Sequence, residues 1–224
     1  MTRLRLVLWA GLLAAPLPVS AHSSVAGIGH FYNGFLHPLF VPAHLMLLLA
    51  LSLCLGQQNN RLAEAGFAFY TAGLAAGLLL AGFALVPGEP TALLLLAMLS
   101  GLLVALGRPL ARPLCLALAV AAGLALGLDS VHESLSGNDK WMFLCGCGLG
   151  VLFFSLYPLL LADKAKAALW MKTGVRVAGS WIAAAALLVL ALAYAGTAGQ
   201  LSGMPAVAPE SRLTPPFQTG LALA

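Results

Sequence analysis

Charge is what this chain has least of. Only 8% of its 224 residues are charged, and Asp and Glu together number 7. An ordinary soluble domain is about one quarter charged, so so few charges cannot dress a water-facing surface. With 61% hydrophobic residues, the chain reads as an all-α polytopic membrane protein. Other absences narrow the function. No Gly-x-x-x-x-Gly-Lys-[Ser/Thr] segment is present, which excludes ATP hydrolysis by a phosphate-binding loop of that type. No nucleophile motif accompanies the histidines and carboxylates, which argues against an enzyme. The four cysteines all fall in apolar stretches, where a thiol behaves as a small apolar group. Cys145 and Cys147 are too close for an easy disulfide and point to different faces of a helix. A soft-metal stop is the alternative to plain packing for that pair.

What is present is organised by length and charge sign. Residues 1–21 carry a basic start (Arg3, Arg5), a short apolar core and Val19-Ser20-Ala21, the pattern of a cleaved secretory signal. Cleavage there makes His22 the mature N-terminus. Six apolar stretches follow at about 37–56, 63–86, 91–107, 113–128, 141–162 and 169–195. A helix needs about 20 residues to cross the hydrocarbon core, so the third and fourth are short. The expected organisation is a signal peptide (1–21), a six-helix transmembrane bundle (22–196) and a flexible periplasmic tail (197–224) rich in Pro, Gly, Ser and Thr. Arg61, Arg108, Arg112, Lys164 and Lys166 occupy alternate loops. Excess Lys and Arg mark the cytoplasmic side, which places both mature termini in the periplasm of a bacterial inner membrane. The net charge of +4 then reflects topology, and no nucleic-acid partner is implied.

All five histidines gather on the outer side of this topology. His30, His37 and His44 are spaced by seven residues, His22 precedes them, and His132 lies in the polar run 129–140. The plain alternatives are a solvated residue on a leader for His22 and a bridge between helices for His44. An ionisable residue inside a span is nonetheless a functional candidate by default. Pro38 suits a helix start, whereas Pro42 removes a backbone hydrogen bond and breaks the helix. Freed backbone groups must then be satisfied within the protein or at a wet cavity, as in the broken helices that line transporter ion sites. If the fourth span continues to residue 133, Asp129, His132 and Glu133 share one face. Imidazoles with carboxylates suit Ni, Cu(II), Zn or Fe, whereas Mg or Ca takes oxygen ligands. The expected metal set is therefore His22, His30, His37, His44, Asp129, His132 and Glu133.

The run His37-Pro38-Leu39-Phe40-Val41-Pro42-Ala43-His44, with Gly34-Phe35-Leu36 before it and Leu45-Met46 after, resembles the HupE/UreJ family of small six-span nickel permeases. That family's motif is His, five residues, then Asp-His; here Ala43 takes the place of the Asp. The later His-Gly…His-Gly…Glu run is matched only loosely by Asp129, His132 and Glu133. The resemblance implies a permease for a divalent transition metal, nickel by default, with copper or cobalt as competitors once the Asp is lost. The other reading is a non-transporting assembly factor or accessory subunit, because no carboxylate lies at mid-membrane below His44. Implied partners are the bilayer and the metal ion, in a homo-oligomer or a larger membrane complex.

Overall fold

In the computed structural model, residues 27–131 and 135–202 are described. Among them are seven α-helices and no strand: α1 (Gly29–Phe40), α2 (Pro42–Gly56), α3 (Asn60–Gly82), α4 (Pro90–Leu106), α5 (Arg112–Leu128), α6 (Gly137–Ala165) and α7 (Leu169–Ser202). The expected signal segment 1–21, His22, His132, Glu133 and the tail from 203 lie outside the described residues. One compact unit ends at Leu190, and the end of α7 from Ala191 belongs to a second.

Three helices, α3, α6 and α7, are long and apolar enough to cross a bilayer, and α1 with α2 makes a fourth if the bent pair is one span. The 17-residue helices α4 and α5 are shorter than the usual crossing length.

Local sequence explains most helix ends. Asn59 caps α3 by accepting from Leu62 N at 3.0 Å. Pro90 opens α4, and Gly107 closes it in the left-handed region (φ 62°). The first span departs most from expectation. It begins at Gly29 rather than residue 37, and Pro38 lies inside α1 rather than at a helix start. The break comes at Val41, which is extended (φ −93°, ψ 110°), with Pro42 as the first residue of α2. Proline pushes its predecessor out of the helical region, so α1 and α2 meet at a 72° bend. α7 also runs past residue 196 to Ser202, although residues 196–202 hold two glycines and a single alanine.

Glycines set how closely the helices approach. A Cβ at Gly146 or Gly150 of α6 would run into the backbone carbonyls of Phe31 and Phe35 on α1. Between α3 and α5, Gly73 and Gly123 play the same part. Small residues at such contacts replace the hydrophobic driving force that lipid removes. Gly150→Val should therefore destabilise the bundle by about 1–3 kcal/mol or more, the cost of overpacking. Thermal melting in detergent reads this directly, and an unchanged midpoint would refute the α1–α6 contact. The shared core is built from Leu47, Leu51, Leu74, Leu93, Leu126 and Val151, all buried.

Candidate metal centre

The bend at Val41 turns two histidines toward each other. His37 lies in the last turn of α1 and His44 is the third residue of α2. His44 is therefore in the first turn of its helix. Their rings meet edge to face with centroids 5.0 Å apart, and Phe143 of α6 packs on His37 at 5.4 Å. His44 is 0% exposed.

α5 supplies the carboxylate. That helix stops at Leu128, and Asp129 is its C-terminal cap. The expected continuation stops short, because residues 129–131 are not helical, and His132 and Glu133 lie outside the described residues. The stop has a use. It lets Asp129 turn inward, where its Oδ2 lies 2.9 Å from His44 Nε2. A carboxylate at the negative end of a helix is disfavoured. Facing the first turn of α2, a positive end, compensates it.

This pairing fixes the chemistry His44 can offer. With neutral imidazole, Nε2–H donates to Asp129 and leaves the Nδ1 lone pair as the available donor. Nδ1 is buried and has no hydrogen-bond partner among the described residues. Histidine metal ligands commonly donate their second ring N–H to a carboxylate in this way. Asp129 can thus orient His44 as well as contact a cation itself.

Asp129 also lines a cavity of about 410 Å³ with Val86, Pro87, Gly88 and Val131, beneath the α3–α4 loop. Gly88 sits so close that a Cβ there would be 2.6 Å from Asp129 Cα. His30 stands apart from this group, 3.6 Å from Asp139 on α6, with both side chains largely exposed. Among the described residues, no three His, Cys, Asp or Glu side chains are already arranged to hold a metal. The structure pairs His37 with His44 and His44 with Asp129, and sets His30 apart with Asp139.

Sequence reasoning missed Asp139, Gly88 and Ser130. Ser130 is buried beside Cys147 and donates to Leu126 O at 2.6 Å. The only signals were the turn residues Pro87-Gly88 and the serine next to Asp129, neither of which names a partner. Cys145 is exposed and Cys147 buried, in keeping with opposite helix faces.

The profile described as HupE / UreJ protein matches residues 10–198 of the chain. The chain belongs to the HupE/UreJ family. No curated protein and no solved structure matches it. Members of the HupE/UreJ family are permeases or accessory proteins linked to nickel and cobalt handling, not enzymes. This HupE/UreJ chain is accordingly a multi-pass membrane protein, and its bent first helix pair carries the His37–His44 motif.

Proposed function

We propose that this HupE/UreJ protein is an inner-membrane permease that captures a divalent transition metal from the periplasm and passes it inward. Nickel is the substrate by family pattern, with cobalt and copper as competitors. The observation that carries the reading is the buried contact between His44 Nε2 and Asp129 Oδ2 at 2.9 Å, beside the His37 ring. The imidazoles of His37 and His44, with Asp129 at the edge of a cavity, are the donor types that suit borderline metals. His132 and Glu133 follow Asp129 closely enough in sequence to complete that set. His30 with Asp139, and His22, serve as an outer approach.

A second reading is favoured by one feature. The bundle below His44 is close-packed with Leu47, Leu51 and Val151, which suits an accessory protein that binds metal without passing it. Purified protein in liposomes, with a nickel-sensitive dye inside, separates the two. Nickel entry above empty liposomes supports the permease. Tight nickel binding with no entry supports the accessory role. In the same assay His30→Ala should cost less than tenfold in affinity, because an exposed ion pair contributes only about 0–1 kcal/mol. A loss as large as that of a buried ligand would move the capture site to the rim.

A further inference from the structure

A cation already occupies an oxygen-lined position at the opposite end of the bundle. Gln58, in the turn between α2 and α3, is 2% exposed despite its amide. Its Nε2 donates to Cys54 O at 3.1 Å, and its Oε1 accepts from Leu110 N at 2.9 Å in the α4–α5 loop. Its own backbone oxygen is thereby held in place, and that oxygen accepts from Lys166 Nζ. Lys166 caps the C-terminal end of α6 and donates also to Asp163 Oδ1 at 2.8 Å.

A backbone carbonyl and a carboxylate from two different elements therefore converge on one ammonium. That is the donor type that hard and borderline dications accept, and the negative end of α6 adds to it. A cavity of about 390 Å³ opens beside the cage, lined by Gly56, Asn60, Glu64 and Asp163. Cys54, whose backbone oxygen accepts from Gln58, lies one turn before it, and Cys115 lies near Cys54; each is 1% exposed. Lys166 itself is one third exposed, so its flexible stem can swing out without unpacking the core.

We propose that the Gln58 carbonyl and Asp163 carboxylate form the inner release site for a divalent cation, and that the Lys166 ammonium is the tethered competitor that closes it. This rests on the permease reading and adds its exit. An arriving dication displaces Lys166 and exchanges with the vestibule carrying Glu64, after which Lys166 returns. The face concerned is the one that Arg61, Arg108 and Arg112 assign to the cytoplasm.

The test uses the full-length protein in liposomes with Ni²⁺ as the probe, comparing wild type, Lys166→Gln, Lys166→Arg and Lys164→Gln. Nickel flux is measured together with N-ethylmaleimide labelling of Cys54 and Cys115, resolved by mass spectrometry with and without Ni²⁺. Lys166→Gln is expected to raise flux and labelling of both thiols by roughly tenfold, since it removes the charge from a charge-assisted contact. Added Ni²⁺ should suppress that labelling. Lys166→Arg should stay near wild type, and Lys164→Gln, an exposed neighbour of equal charge, should change nothing. Increased labelling without Ni²⁺ protection would make Lys166 a structural latch and overturn the release site. Unchanged flux and labelling in a folded Lys166→Gln, with wild type transporting, would overturn it alone. Nickel binding without flux in wild type would instead remove the permease reading, and the release site with it.

Discussion

His44→Ala is expected to lower the nickel affinity of the purified protein by well over tenfold. The imidazole is wholly buried, its Nε2 is committed to Asp129, and its Nδ1 is the donor left over. Even changes to groups that only orient a metal ligand cost about 10–100-fold, so removing a ligand should cost at least as much. Water is a poor substitute here, because the position is buried and Leu47 and Leu48, one turn further along α2, are buried too. The loss also leaves the Asp129 carboxylate, 17% exposed, without its imidazole. His22→Ala should cost less, since a leader residue contributes a ligand only after its ordering entropy is offset. Metal titration with calorimetry compares the three proteins. Unchanged affinity in a folded His44→Ala would reduce His44 to a hydrogen-bonded bridge between α2 and α5.

Which parts of this arrangement the sequence could disclose follows from the range of each interaction. The break before Pro42 was legible because it is local: proline acts on its own nitrogen and on the residue before it. The nearness of His37 and His44 follows from that break. Pro38 was misjudged for a complementary reason. Proline favours a helix start, but the nine residues of α1 before it pack on α6 closely enough at Phe31, Gly34 and Phe35, against Gly146 and Gly150, to keep α1 helical through it. Tertiary packing outweighed a local preference.

The carboxylate side was harder to read. His44 and Asp129 are 85 residues apart, and no periodicity reports a contact across that distance. Shared membrane side and complementary chemistry make them candidates for one pocket. They could not reveal that α5 ends at Leu128 and that this ending aims Asp129. The Gln58–Lys166 cage left no trace in the sequence beyond a polar loop and a basic loop on the same side, 108 residues apart.

The helix ends around His44 also explain why an acid is needed there at all. His44 sits in the first turn of α2, where the positive end of the helix repels a cation. The C-terminal ends of α1 and α5 oppose that field, and Asp129 adds a full negative charge. A site with imidazoles alone would have to bind a dication against the α2 terminus.

Asp129→Ala should therefore lose nickel binding by roughly 100-fold, at the upper end of effects for groups that support a metal ligand, and Ala43→Asp should restore much of it. Residue 43 is the second residue of α2, a position where an N-terminal carboxylate is stabilised by about 0.3–1 kcal/mol. It stands next to His44, so a carboxylate there returns negative charge to the same few ångströms from the other side of the site. In the Asp129→Ala background the rescue separates charge from folding, because a variant that failed through misfolding would not regain affinity from a second substitution. Asp129→Asn adds a finer test. Its amide oxygen still accepts from His44 Nε2–H but carries no charge, so binding should fall between wild type and Asp129→Ala. In the wild-type background Ala43→Asp gives the site a second oxygen donor, and preference should move from copper toward nickel. Competition titrations with the two metals measure that ratio. If Asp129→Ala binds nickel as wild type does, the carboxylate only joins helices. If Ala43→Asp leaves both the affinity of Asp129→Ala and the copper-to-nickel ratio unchanged, residue 43 lies outside the site.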